Sequence, residues 1–387
     1  MSGPVMICLD KFRGSLSAAA AGAALADGLR SVRPELEVTV LPVADGGEGT
    51  VEAVLAAGWT AVACRVTGPD GRPVDARLAV RGDRAVVELA QASGLALLDR
   101  PQPLTAGTRG TGELVRAALD HGCRHVVLAV GGSASTDGGA GLLQALGAKV
   151  LDGDGAEVPP GGAALRSVAR VDLSGLDPRL AGCAITLASD VDNPLLGPSG
   201  AAAVFGPQKG ATADDVGVLE RGLARWADRV AAATGSDLSA APGAGAAGGA
   251  GFAALAVLGA LRRPGIDVVL DELEADRCLA TAGLVVVGEG RLDEQSLHGK
   301  APVGVAARTP PGVPVVAVSG QCTVPAERLR AAGITGSWTL LDEAGGDLSL
   351  AMSGACELLV RIGRRLAADP STVPASTPST SREESTP

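Results

Sequence analysis

Residues 284–300 read LVVVGEGRLDEQSLHGK. Four apolar residues, three of them Val, predict a short strand buried on both faces. The run stops at Gly288, Glu289 and Gly290, and Arg291, Asp293, His298 and Lys300 follow. A buried strand that ends in a glycine-flanked acid and then in charged groups is how α/β proteins build sites. The strand fixes position, and the loop at its carboxyl end carries the chemistry. The same construction recurs. Asp10, Asp45, Glu48, Asp190, Asp192, Glu289 and Asp293 all stand at or just after predicted strand ends. If one sheet edge gathers these loops, the acids converge. Converging acids beside loops that cradle phosphate are what magnesium-dependent phosphoryl transfer requires. Mg²⁺ takes one or two carboxylates plus phosphate oxygens, Lys or Arg offsets charge, and an acid accepts the acceptor's proton. Arg13, Lys209, Arg291 and Lys300 are the candidate cations, and His298 is the one histidine placed to matter.

The phosphate cradle is best represented by residues 131–141, GGSASTDGGAG, which follow a predicted strand and open a helix. Serial glycines let backbone N–H groups approach an anion, and a helix N-terminus adds a positive dipole. This is neither the GxxxxGK[ST] loop nor the GxGxxG dinucleotide fingerprint, and the latter absence argues against a dehydrogenase. Tight helix–sheet packing is the competing use of the same glycines. Ser15, Ser133 and Ser135 have no His–Asp partner that the sequence identifies, which argues against a serine hydrolase.

The elements that must position these loops are strand–loop–helix units. A strand at 5–9 leads to a helix ending near Val32, capped by Ser15 or Ser17; a strand at 37–43 leads to a helix at 51–57. Short alternating runs at 63–67, 74–80 and 84–89, separated by turn residues, predict an antiparallel meander. Helices at 110–121 and 141–146 flank a strand at 125–130, and a strand at 184–188 follows; residues 149–182 give no clear pattern. Residues 212–233 predict the best helix, with a Thr212–Asp215 capping box and Val216, Leu219, Leu223, Trp226 and Val230 on one core-facing side. Strands resume at 284–287 and 314–318, and a last helix covers 350–367. The glycine-rich run at 242–251 reads as a hinge, a linker or a close-approach loop. The fold class expected is α/β in two domains. Residues 1–60 and 260–367 form a discontinuous parallel-sheet domain of Rossmann or flavodoxin type, and 61–259 form an inserted mixed α/β domain. Residues 368–387, rich in Pro, Ser and Thr, are expected to be disordered.

Composition bounds the partners. The 387 residues carry a net charge of −10 with 2% aromatics and no Tyr, which disfavours nucleic acid and leaves a core of Val, Leu and Ala. Seven scattered cysteines without a CxxC pair predict reduced thiols in the cytoplasm. The N-terminal apolar run has no basic region before it, so no signal peptide is expected, and the longest apolar stretch is too short to span a bilayer. Only four of the 33 basic residues are Lys, and three of them, Lys11, Lys209 and Lys300, lie in glycine-rich loops. A tight phosphate pocket is one place where a compact ammonium differs from a guanidinium fork.

Eight motifs occur in order: DKFRGSLSA at 10–18, PVADGGEGT at 42–50, GTRGTGEL at 107–114, GGSASTDGGAG at 131–141, ASDVDNPLLG at 188–197, FGPQKGA at 205–211, PGAGAAGG at 242–249 and GEGRLDEQSLHGK at 288–300. Together they resemble the class I glycerate kinases, the bacterial glycerate 2-kinase family, across residues 4–366. The resemblance implies ATP- and Mg²⁺-dependent phosphorylation of D-glycerate, usually to 2-phosphoglycerate, in a cleft between two α/β domains. It departs from the family's first motif, often D-S-F-K, where this chain has Asp10, Lys11, Phe12 and Arg13. On this reading Asp45, Asp190, Asp293 and Lys300 are the catalytic candidates, with Asp190 and Asp293 on the metal. Substrate or nucleotide contacts fall to Asp10, Arg13, Ser15, Gly46, Gly47, Glu48, Gly132, Ser133, Asp137, Asn193, Lys209, Gly248, Glu289 and Arg291. Phosphorylation at the 3-hydroxyl, or a non-catalytic sensor of glycerate or nucleotide, are the alternatives. A monomer or homodimer that engages no membrane is expected.

Overall fold

The computed structural model describes residues 3–369 as a mixed α/β protein. The expected tail thus lies almost wholly outside the described residues. Where the sequence suggests boundaries at 60/61 and 259/260, the chain divides by contact after Val43 and after Leu273. Thr50–Ala56 lies against the strands Pro73–Arg81 and Arg84–Glu88, and Leu261–Arg263 pairs with Ala184–Ala188, so both flanking stretches belong to the central unit.

The unit made from both ends of the chain holds a five-stranded parallel sheet. Its spatial order is Gly336–Thr339, Val315–Ser319, Leu284–Gly288, Val5–Leu9, Val38–Val40. The three central strands are buried along their whole length, which is why they read as unbroken apolar runs. The expected strand at 37–43 shortens to Val38–Val40, although Leu41 and Val43 still donate backbone hydrogen bonds to Ile7 and Leu9. Ser17 caps the first helix, Ala18–Val32, by accepting from the Ala20 N–H. That helix packs on the final one, Ala355–Ala368. At the crossing a Cβ on Gly28 would stand 2.2 Å from the Val360 carbonyl oxygen and 2.9 Å from the Gly363 Cα. Only glycine permits that approach. The long C-terminal helix expected at 350–367 is two, Leu348–Ser353 and Ala355–Ala368, separated at Gly354.

The unit of residues 44–273 holds a six-stranded sheet in the order Leu261–Arg263, Ala184–Ala188, His125–Ala129, Arg84–Glu88, Pro73–Arg81, Thr60–Thr67. The first four run parallel, and the last two pairings are the antiparallel meander the turn residues predict. The unpatterned stretch after residue 149 is an antiparallel ribbon, Lys149–Leu151 with Arg170–Asp172, plus short 3₁₀ turns. The helix Ala213–Thr234 starts with the Thr212–Asp215 capping box. Leu219, Leu223, Trp226 and Val230 are fully buried, each of the aliphatic ones stabilising by about 1.5–3 kcal/mol. Trp226 does more than fill space, because its Nε1–H donates to the Gly138 carbonyl at 2.9 Å. The run at 242–251 is a close-approach segment. Ala247, Gly248 and Gly249 take left-handed conformations inside Ala246–Ala256, and a Cβ on Gly248 would meet the Ser135 carbonyl at 2.0 Å.

Candidate active site

Candidate site groups occur in each of the two units. In the terminal unit, the strand order reverses between Val5–Leu9 and Leu284–Gly288. The first connection runs from Val5–Leu9 to one side, and the later strands add on the other. Ligands of open α/β sheets bind outside the carboxyl ends of the strands at such a switch point. Here the two loops lock together: the Asp10 N–H donates to the Gly288 carbonyl at 2.8 Å, and the Gly290 N–H to the Lys11 carbonyl at 3.3 Å. Asp10 and Glu289 are both buried, at 6% and 8% exposure. Asp10 Oδ1 accepts from the Lys11 N–H. Arg13, Arg291 and His298 face solvent. Asp293 caps a 3₁₀ turn, accepting from the Gln295 N–H at 3.0 Å, while its second oxygen lies 3.5 Å from Arg291 Nε. Lys300 is the residue before helix Ala301–Arg308 and does not cap it through its side chain. Ser15 is turned to the chain, its hydroxyl donating to the Met352 carbonyl.

In the central unit the carboxyl ends of four parallel strands carry Glu88, Gly131, Asp190 and Gly265. Gly265 ties two predicted acids together. Its N–H donates to Asp190 Oδ1 at 2.8 Å, and a Cβ at this position would fall 1.9 Å from the Asp45 carbonyl oxygen. Gly46 fits against Gly265 and Ala188, and Gly47 against Gly131. Asp45 Oδ1 accepts from the Gly47 N–H. Asp190 keeps contact with solvent, yet the protein mass around it disfavours the charged form and pushes its carboxyl up to about 6. The Gly265 hydrogen bond and the Arg262 guanidinium pull the other way, while the Asp45 and Asp267 charges push further up. Glu48 is exposed at the start of the turn. Asn193 donates to the Ser199 carbonyl.

The 131–141 loop is built around two buried charges. Asp137 accepts from the Thr108 N–H and hydroxyl and from the Gly139 and Gly141 N–H groups. Burial raises its carboxyl and these bonds lower it, with burial the larger. Lys209 is 1% exposed, and its ammonium donates to Ser133 Oγ at 2.8 Å and to the Ser135 carbonyl at 2.6 Å. Burial pulls it down to about 7, against the attraction of Asp137. Asp137, Lys209 and Gly248 therefore serve the loop from inside, whereas Gly132 is exposed and Ser133 is buried beside it.

Sequence reasoning missed Glu88, Arg262 and Gly265. Glu88 is 1% exposed and accepts from the Gly49 and Val51 N–H groups at 3.1 Å, holding the start of helix Thr50–Ala56. Arg262 pairs with Asp192 at 2.6 Å. Only Asp190's position offered a signal for Gly265, through the loops expected to converge. A recess of about 590 Å³ lined by Cys64, Arg65, Glu113 and Arg116 contains none of the expected site residues.

No group of three or more His, Cys, Asp or Glu side chains among the described residues is arranged to hold a metal. Magnesium needs only one or two carboxylates when phosphate supplies the rest, and the Asp45–Asp190 pair matches that donor set in type and in mutual repulsion. No helix among the described residues is long and apolar enough to cross a membrane.

Comparison with known proteins agrees along almost the whole chain. The sequence model of the glycerate kinase family matches residues 5–370. A glycerate kinase of Bacillus subtilis (strain 168) is 45% identical over 370 residues, covering 94% of this chain and 97% of the relative. A glycerate 2-kinase of Escherichia coli (strain K12) is 42% identical, with the same coverage. A crystal structure described as a glycerate kinase 2 from Salmonella typhimurium LT2 superposes with a TM-score of 0.82 at 41% identity, covering 95% of this chain and 98% of that one.

Proposed function

The chain belongs to the glycerate kinase family, and on that premise we propose that it is an ATP-dependent kinase that phosphorylates D-glycerate at the 2-hydroxyl, giving 2-phosphoglycerate and ADP. The observation that carries the reading is the family match from residue 5 to residue 370. The 42% identity to a protein named glycerate 2-kinase supports the 2-position. The carboxyl-edge cluster of Asp45, Gly46, Gly47, Gly131, Asp190 and Gly265 supports the chemistry.

In this mechanism the glycerate oxygen forms a bond to the γ-phosphorus as the bond from phosphorus to the β,γ-bridging oxygen breaks, and ADP departs. The hydroxyl proton goes to a carboxylate. Asp190 suits that role, because a carboxyl raised to about 6 is ionised at neutral pH and is more basic than an ordinary one. The Gly132–Ser133 turn supplies donors to an anionic oxygen. Arg13, Arg291 and Lys300 offset charge on phosphate or carboxylate, with Asp10 and Glu289 holding their loops. Asp45 and Asp190 would hold magnesium, with Asp293 a further candidate. Bound there, the ion would supply charge neutralisation to the phosphates. The seven unpaired thiols support a reducing compartment such as the cytoplasm.

The test mixes protein, MgATP and D-glycerate and follows ADP release with and without enolase. ADP release with a product that enolase consumes supports the 2-kinase. ADP release with a product that enolase ignores moves the phosphate to the 3-hydroxyl. Binding of glycerate and MgATP without turnover makes the protein a sensor.

A further inference from the structure

Lys209 is an unusual place to find a charge. It is among the largest fully buried side chains, its ammonium lies 2.8 Å from Ser133 Oγ, and nothing in a phosphate-binding role requires a lysine shut away from solvent. An ammonium has three donors and no acceptor. In that contact, therefore, the serine oxygen must accept. The hydroxyl hydrogen of Ser133 is then left pointing elsewhere, and no acceptor among the described residues takes it. Ser133 is 9% exposed, so it is largely covered yet keeps some contact with solvent. Its backbone is fixed as well: Ser133 bridges to Gly94, the Ala134 N–H donates to the Ser93 carbonyl, and the Leu95 N–H donates to the Gly132 carbonyl. The second ammonium bond, to the Ser135 carbonyl, fixes the turn from the other end.

We infer that Lys209 is a positioning residue that never touches the ligand, and that it makes Ser133 an obligate hydrogen-bond donor to an anionic oxygen of the bound substrate or nucleotide. The inference rests on the kinase reading and deepens it. The lysine polarises the hydroxyl and dictates its direction, so that the turn meets an anion with a donor already aimed. The shared ligand chemistry is a carboxylate or phosphate oxygen. A neutral amine could instead accept the Ser133 hydrogen and turn it inward. Burial brings the lysine's titration near neutrality, with Asp137 the charge that opposes it. The donor should therefore weaken as the lysine loses its proton.

The experiment is a double-mutant cycle on the full chain with Ser133→Ala, Lys209→Met and the pair, reading calorimetric affinity for D-glycerate and for sulfate as a non-titrating stand-in for a phosphate group. Ser133→Ala should weaken one of the two probes by about tenfold to a hundredfold, the range of a bond between a neutral donor and a charged acceptor. Loss confined to glycerate identifies a carboxylate partner, and loss confined to sulfate a phosphate partner. Lys209→Met should weaken the same probe, and the double variant should lose no more than the larger single one, because the lysine acts only through the serine. Wild-type affinity for that probe should fall as pH rises through about 7, and the dependence should vanish in Ser133→Ala. Losses that add, or a Ser133→Ala protein that binds both probes as wild type does, overturn the inference and leave the kinase reading intact. A wild-type protein that binds neither probe overturns both. Ser133→Ala removes one oxygen and keeps the test decisive if Lys209→Met does not fold.

Discussion

Gly265→Ala sets two effects against each other. In the first turn of helix Gly265–Glu272, alanine has the better helix propensity and would by itself stabilise by about 0.5–1 kcal/mol. The space says otherwise. The new methyl would lie 1.9 Å from the Asp45 carbonyl oxygen and 2.7 Å from its carbonyl carbon, where ordinary contact begins at 3.4 Å. The Asp45–Gly47 loop must therefore retreat by roughly 1.5 Å, and because the obstacle is backbone on both sides no side-chain rotation relieves it. Forced expansion of this kind costs roughly 1–3 kcal/mol, so the net change should be a destabilisation of about 0–2.5 kcal/mol. Activity should suffer more. The retreat separates Asp45 from Asp190, and misplacement of reacting groups by about 1 Å costs on the order of a hundredfold in rate. Urea unfolding and kcat/KM for glycerate, measured with Gly153→Ala as a control, check this; Gly153 has nothing within 4 Å of its would-be Cβ. A Gly265→Ala protein with wild-type kcat/KM would show that the two acids need not be held together, and the cluster would lose its place in the mechanism.

Asp190→Asn should abolish most turnover and yet stabilise the protein above pH 6. The carboxyl's raised titration means its contribution to stability is present below about pH 4 and is lost as pH rises through about 6. Amide in its place removes that loss, worth about 1 kcal/mol at pH 8 once solvent screening is allowed for; urea midpoints at pH 4.5 and 8 in chelator should show a clearly larger gap at the higher pH. Wild-type kcat/KM should fall at acid pH as Asp190 protonates, at a pH below the value of about 6 that its carboxyl has without magnesium. Glu88→Ala strands the Gly49 and Val51 N–H groups and should cost about 2–4 kcal/mol, read as a lower urea midpoint, with Glu88→Gln recovering part of it. Trp226→Phe keeps most of the apolar area but orphans the Gly138 carbonyl. It should lose about 1–3 kcal/mol in thermal or urea unfolding.

Much of the frame was legible because it is written in local signals. The fully buried strands at 5–9 and 284–288 and the partly buried one at 184–188 appear as short apolar runs, and Thr212 with Asp215 announces the helix Ala213–Thr234. Elements whose identity depends on neighbours were not legible. Leu261–Arg263 is two arginines behind an exposed leucine, and only pairing with Ala184–Ala188 makes it a strand. Gly336–Thr339 is likewise an edge strand with one buried residue. In the site, spacing identified which loops carry acids, but not which way side chains turn. Lys209 looks like any loop cation until its ammonium is found under Ser133. Glu88 reads as the polar end of a strand until two helix N–H groups are found on it. Gly265 carries no chemistry of its own and matters only through the two acids it brings together.

The crossing of Ala18–Val32 with Ala355–Ala368, glycine against glycine, bears on how the protein is born. One partner in that contact precedes the segment 44–273 and the other follows it, so the two leave the ribosome far apart. The segment 44–273 has its own sheet and its own apolar core, and it can close while the rest is still being synthesised. The flanking sheet cannot. Its strand Val5–Leu9 must wait for the central strand Leu284–Gly288, and its helix Ala18–Val32 for Ala355–Ala368. Until then Ala18–Val32 has only Val5–Leu9 and Val38–Val40 to pack on, and the side that meets Ala355–Ala368 stays open. A truncation that removes only the final helix should therefore leave a chain with one finished half and one permanently sticky end.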